Sequence, residues 1–278
     1  MMKTHCFIIW LIVFGGMIAC HSCGTTDLSS PLRTDSVSFE TGKDSSYSCR
    51  ITVDYPLSGD SFSLAVADYI NKELKANVDW FAETDEIAFN GGFSDGGREM
   101  IGYYGGIVGK FFANSMDDAL ETGYSLNGWT FDIAIRKIDD TPRYVTYETT
   151  AYSYTGGAHG GTTEKAVNLV KPFGKVLKQT VDSLKLNEIQ PLLRQGVLSY
   201  LKEQGNTEIT DETLNEMLFI EDGIIPLPTC QPYLTPNGLC FVYQQYEIAC
   251  YAMGIVSFVV PYSEIKPFMT PEALQLIE

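Results

Sequence analysis

The sequence predicts an α+β fold: mixed, largely antiparallel sheets with helices packed on one face, divided into two small adjoining subdomains. Three observations predict it. Segments near 46–55, 129–138 and 143–154 alternate apolar and polar residues at period two, the mark of half-buried strands. Segments near 61–83 and 187–204 repeat apolar residues every three or four positions, the mark of helices with one buried stripe. The order strand, helix, helix, strand, strand fills the first half, and its theme returns in the second.

The central stretch runs from Arg143 to Gly161. Tyr144, Thr146, Glu148, Thr150, Tyr152 and Tyr154 fall on one face of a strand. Gly156 and Gly157 supply positive φ for a tight reversal, and Gly160 and Gly161 let the backbone pass close to another group. His159 stands between the two pairs, and Thr162 to Val170 reads as the returning strand.

Taken in order, Ser46 to Tyr55 reads as a strand ended by Pro56, and Gly59-Asp60-Ser61 opens a helix expected to reach about Glu83. Asn90 to Gly109, with its many glycines, reads as loop with room for one short strand, and Lys110 to Thr122 as a short amphipathic helix. Gly105-Gly106-Ile-Val-Gly109-Lys110 lacks full P-loop spacing and the Ser or Thr that should follow, so no nucleotide cofactor is expected. Trp129 to Ile138 is a strand, and Asp139-Asp140-Thr-Pro142 turns it back. Beyond the Lys171–Lys175 turn, Gln179 to Leu184 reads as one helical turn, Asn187 as the cap of a helix to about Gln204, and Asp211 to Leu218 as a further short helix. Gly223 to Pro236 reads as irregular. Asn237-Gly238 introduces the strand Leu239 to Tyr243, and Ile255 to Val260 reads as a strand covered on both faces. Thr270-Pro271-Glu272 starts a last helix.

The first residues speak of location. Lys3 precedes an apolar run from Cys6 to Ala19, about 14 residues, too short to span a bilayer and suited to a signal-peptide core. Met17-Ile18-Ala19-Cys20 resembles a bacterial lipobox, which implies cleavage before Cys20 and its lipidation. The expected organisation is a signal peptide at 1–19, a lipid-anchored flexible tether at 20–45, an N-terminal α+β subdomain at 46–150 and a C-terminal one at 151–278 carrying the Gly-Gly-Ala-His turn. The location that follows is the bacterial envelope, facing the periplasm with display at the cell surface as the alternative, and with membrane contact through the N-terminal lipid.

A net charge of −16 repels nucleic acid and anionic lipid and suits a basic partner. Beyond Cys6 and Cys20, the cysteines Cys23, Cys49, Cys230, Cys240 and Cys250 are odd in number. Their spacing is compatible with free buried thiols or with one bridge among the last three, and selects no pair. Cys230, Cys240 and Cys250 are spaced by ten, with no C-x-x-C among them and no nearby histidine, so no metal site is expected.

Tyr154-Thr-Gly-Gly-Ala-His159, followed by Asn237 to Tyr243 and by Tyr246-Glu-Ile-Ala-Cys-Tyr251-Ala-Met-Gly254, resembles a pair of adjoining domains of unknown function in bacterial envelope lipoproteins. Similar pairs form the ectodomain of the lysozyme-sensing anti-sigma-V factor and accompany the catalytic domain of a peptidoglycan deacetylase. The resemblance covers about Ser46 to Met269, with Cys250 standing where it implies a proline. It implies an ectodomain that binds a peptidoglycan fragment or a lysozyme-like protein and has no activity of its own.

The residues agree with a binder. Once a signal peptide is removed, only His21 and His159 remain as histidines, so a Ser-His-Asp triad would have to use His159. Tyrosine faces stack on sugars and anchor protein interfaces. The candidate ligand-binding residues are therefore Tyr152, Tyr154, Gly156, Gly157, His159, Tyr246, Glu247 and Tyr251, with no catalytic residue assigned. The alternatives are a wall-glycan hydrolase or deacetylase-type enzyme using paired acids, and a structural lipoprotein without a soluble ligand.

Overall fold

The computed structural model describes residues 30–82, 88–93, 95–122 and 127–278. The expected signal peptide, the lipidation of Cys20, and His21 and Cys23 of the tether lie outside the described residues. What is described is an α+β fold in four layers. Strands β1 (Thr34–Lys43), β2 (Tyr47–Pro56), β3 (Trp129–Asp140), β4 (Tyr144–Tyr154), β5 (Gly161–Val170) and β6 (Lys175–Val176) form one sheet in chain order. Only the β2–β3 pair is parallel, because helices α1 (Ser61–Val78) and α2 (Arg98–Thr122) cross between them. Both helices lie on one face of this sheet, over a core that includes Ile51, Val53, Ile70, Leu74, Ile133 and Tyr147.

The second sheet is β7 (Tyr233–Thr235), β8 (Gly238–Tyr243) and β9 (Val256–Pro261). One face of β8, with Cys240 and Val242, meets Ala166 of β5. Its other face, with Leu239, Phe241 and Tyr243, packs on Ile189, Leu193 and Val197 of helix α3 (Leu186–Glu203). Helices α4 (Asp211–Met217), α5 (Tyr262–Ile265) and α6 (Pro271–Ile277) complete this half.

Several sequence expectations are corrected. Residues 34–43, expected within the tether, form β1. An edge strand needs only one covered face, and Val37 and Phe39 on that face suffice once α2 lies over them. The glycines expected in a loop at 102, 105, 106 and 109 are inside α2, which begins at Arg98 and absorbs the expected short helix. Their lack of side chains is used: a Cβ on Gly105 would stand 2.2 Å from the Phe39 ring. Helix α1 stops at Val78, with a single 3₁₀ turn after it (Asp79–Phe81).

In the second half, Gln179 and Thr180 are not helical and Val181 bridges Met269, so the helical turn there shrinks to Ser183–Lys185. Asn187 lies within the first turn of α3, and no side chain caps that helix. The strand covered on both faces is β8, buried throughout, whereas Val259 of β9 is 45% exposed, because β9 is an edge. A short strand, β7, stands in the stretch read as irregular. The expected subdomain border at 150/151 falls inside β4; the apolar core changes from the first cluster to the second after β6, near Leu177. Cys49, Cys230, Cys240 and Cys250 are free thiols.

The even-numbered face of β4 follows the period-two expectation. Tyr144 joins the second core, and Thr146 donates to the Leu234 carbonyl at 3.3 Å. Thr150, Tyr152 and Tyr154 run on past the small sheet toward the glycine turn.

Candidate functional site

The site is built where β5 lacks a strand neighbour. Strand β6 pairs only with Leu169 and Val170, so the first half of β5 presents a bare edge. The segment after β8 closes it with side chains. Gln244 accepts the Glu164 amide at 3.0 Å and donates to the Glu164 carbonyl at 2.6 Å, as a paired strand residue would. Gln245 accepts the Thr162 amide at 3.0 Å. Exposed edges invite pairing with other chains, and these two amides cap this one.

That docking brings the two motifs together. Gly156 and Gly157, at φ +100° and +93°, turn the chain out of β4, and Tyr154 donates to the Gly157 carbonyl at 3.2 Å. Gly160 is pressed against the Tyr152 ring, where a Cβ would meet the hydroxyl at 2.4 Å. His159 is thereby held outward and stacks on Tyr251 with ring centroids 3.7 Å apart and planes 21° from parallel. Tyr251 donates to the Gly160 carbonyl at 3.0 Å, and His159 Nδ1 lies 3.0 Å from the same oxygen. The Tyr246 hydroxyl is 3.3 Å from His159 Nε2, and its ring lies 5.8 Å from that of Tyr251. His159, Tyr246 and Tyr251 thus form an aromatic platform, with Tyr246 57% exposed.

Tyr246 also has a φ of +66°, in the left-handed region that costs a residue with a Cβ on the order of 1 kcal/mol or more. Glu247 holds the turn in place. Its two carboxylate oxygens accept the amides of Thr229, at 2.6 Å, and Gln244, at 2.7 Å. The acid is therefore a clamp on the loop, with both oxygens engaged. From below, Tyr200 donates to the Met253 carbonyl at 2.8 Å and braces the single 3₁₀ turn that carries Tyr251.

Of the expected residues, the structure brings His159, Tyr246 and Tyr251 into direct contact. Tyr152 and Tyr154 support the turn, Gly156 and Gly157 shape it, and Glu247 fastens the opposite loop. Sequence reasoning missed Gln244 and Gln245, for which Gln244-Gln245 just after a strand was the available signal. It also passed over Glu148 and Glu164, half-buried on adjacent strands facing the small sheet. Burial raises the carboxyl pKa of Glu148, against a lowering by Arg136. Burial first, and then the Glu148 charge, raises that of Glu164.

A carboxyl whose pKa is higher in the folded than in the unfolded chain binds more protons when folded, so its contribution to stability falls as pH rises through that interval. Glu164→Gln is therefore expected to gain melting temperature relative to the parent as pH rises from about 4 through the range in which the parent carboxyl ionises. Scanning calorimetry across that range checks it; a gap that narrows contradicts the assignment.

Among the described residues, no group of three His, Cys, Asp or Glu side chains is placed to hold a metal ion, and no helix is long and apolar enough to cross a membrane. No curated protein matches the chain. A DUF3298 family protein from Pseudomonas aeruginosa PAO1 shares the fold at 17% identity and a TM-score of 0.56, over 88% of this chain and 98% of that one. A DUF3298 family member from Bacteroides fragilis NCTC 9343 does so at 19% and 0.58, over 87% of this chain and 96% of that one. Residues 179–263, which hold the Tyr246–Tyr251 loop but not His159, match the family model described as protein of unknown function (DUF3298).

Proposed function

We propose that this is a non-catalytic, lipid-anchored protein of the bacterial envelope that binds a cell-wall glycan, or a protein acting on one, at the His159–Tyr246–Tyr251 platform. The observation that carries the reading is the exposed Tyr246 ring held at positive φ over a stacked His–Tyr pair. Strain at an exposed aromatic serves no core, and such strain gathers at binding sites. Flat aromatic faces suit the C–H faces of sugar rings and equally the centre of a protein interface. The net charge of −16 favours a basic partner among proteins.

Titration calorimetry with soluble peptidoglycan fragments, and with lysozyme, tests the reading. Tyr246→Asn is the informative variant, because Asn tolerates the left-handed backbone and removes only the aromatic face. It and His159→Ala are each expected to weaken binding about tenfold or more. Parent-like affinity in both would refute the platform. Mass spectrometry of the N-terminal peptide tests acylation at Cys20.

A second reading, glycan hydrolysis by a carboxylate pair, has Glu148 and Glu164 in its favour, as neighbouring carboxyls of raised pKa. It requires turnover of a wall substrate by the parent and loss of that turnover in Glu164→Gln.

A further inference from the structure

We propose that the end of the molecule around the β5–β6 turn is a membrane-facing surface that takes the anionic headgroups of a lipid bilayer. Phe173, at the tip of this turn, is 82% exposed. The turn is closed by the Gly174 amide on the Val170 carbonyl at 2.9 Å, so the ring is presented on a fixed loop. Lys175 and Lys178, both exposed, share with Phe173 a groove of about 470 Å³ floored by Val170, Val176 and Leu276. Arg143, exposed, donates to the Gln275 carbonyl of α6 at 2.7 Å and so stands at the same groove. Arg33, exposed, lines the adjoining hollow with Lys171 and Pro172.

The carboxylates nearby are largely committed. Asp140 is held by Lys137 and Lys171, and Asp60 accepts the Ser63 amide as the N-cap of α1. Glu272 in the first turn of α6 is the acid left in the groove. In a chain of net charge −16, a corner where an exposed phenylalanine sits among Arg33, Arg143, Lys175 and Lys178 is the exception. An apolar tip among cations suits the boundary of an anionic bilayer.

The second observation is where the chain comes in. The described residues start at this corner: Lys171 donates to the Ser30 carbonyl at 3.3 Å, and the Leu32 amide to Asp140 at 2.7 Å. Since β1 takes up residues 34–43, only the stretch from Cys20 to Ser30 separates the acylation position from this surface. Ten residues cannot reach beyond ~35 Å even at full extension. The β4–β5 hairpin then carries the aromatic platform away from that end. From the Tyr144–Val170 pair to the Ser153–Gly161 pair it measures ~30 Å at about 3.4 Å per residue. The surface would keep the platform pointing away from the bilayer. The orientation rests on the Cys20 anchor proposed above; the surface itself rests on Phe173 and its cations.

The test uses the full chain, purified from membranes and reconstituted into phosphatidylcholine vesicles with and without phosphatidylglycerol, the lipid tails brominated. Phe173→Trp adds one fluorophore to the parent's tryptophans. Its added emission is expected to shift to the blue and to be quenched in the anionic vesicles. That quenching is expected to be lost in neutral vesicles and after Lys175→Glu with Lys178→Glu. Added emission that stays unquenched in vesicle-bound chain overturns the proposal, as does a blue shift appearing without lipid together with a dimer in light scattering. Mass spectrometry on the same sample separates the two readings: quenching with a bare Cys20 refutes the anchor and leaves the surface standing.

Discussion

Asn168→Leu is expected to lower the stability of the protein by about 3 kcal/mol, against a size change that alone would cost little. Asn168 of β5 is 2% exposed and joins the two sheets. Its Nδ2 donates to Thr146 Oγ1 at 2.7 Å and to the Leu234 carbonyl at 3.2 Å, while its Oδ1 accepts the Leu234 amide at 2.9 Å. Leucine fills the volume but leaves the buried Leu234 amide of β7 without a partner, at ~1–3 kcal/mol, leaves its carbonyl with Thr146 alone, and forfeits the bond to Thr146 itself. Because these bonds cross between the sheets, the loss is expected to fall on their cohesion. Urea unfolding followed by circular dichroism should show a lower midpoint. Tryptophan fluorescence reports the first unit through Trp80 and Trp129, so a probe-dependent midpoint would show the units parting. A midpoint within error of the parent's would mean that the amide does not stitch the layers.

Asn168 belongs to a set. Gln244 exchanges two bonds with the Glu164 backbone, and Gln190 accepts the Ile225 amide at 2.9 Å and donates to its carbonyl at 2.9 Å. Asn71 donates to the Phe89 carbonyl at 2.7 Å and accepts from Tyr104. In each case a side-chain amide replaces the strand neighbour that a stretch of backbone lacks, which is how irregular segments stay buried with their polar groups satisfied. This is also where sequence reading gives out. Period-two alternation made β2, β3 and β4 visible, and the glycine pairs marked the turn that holds His159, because both signals are local. The partner of a buried amide lies 18 to 80 residues away and leaves no local mark. Strand β1 escaped notice because an edge strand under a helix needs only Val37 and Phe39, and the start of α2 because its glycines serve close packing. The meeting of Tyr246 with His159 was legible as two motifs; their contact depended on Gln244 and Gln245 closing the edge of β5.

Asp140→Ala is expected to cost more, about 3–5 kcal/mol, because it strands a buried cation. The Asp140 side chain is 11% exposed and receives Lys171 at 2.8 Å, Lys137 at 3.2 Å and the Leu32 amide at 2.7 Å. Lys171 is 5% exposed, and without the carboxylate it keeps only the Ser30 carbonyl at 3.3 Å and the face of Phe62 at 5.8 Å. The same change frees the segment leading into β1, since Lys137 also donates to the Leu32 carbonyl at 2.6 Å and loses the ion that positions it. Denaturation should therefore show a large drop in midpoint, and limited proteolysis should cut first between Ser30 and β1. The decisive comparison is the double variant. If the penalty comes from the stranded charge, Lys171→Met in the Asp140→Ala background recovers most of the loss, since a paired deletion removes the charge that had no counter-ion. If the double variant is instead as unstable as the sum of its parts, the cluster works through its bonds to Leu32, and the ion pair is incidental to holding the chain at this corner.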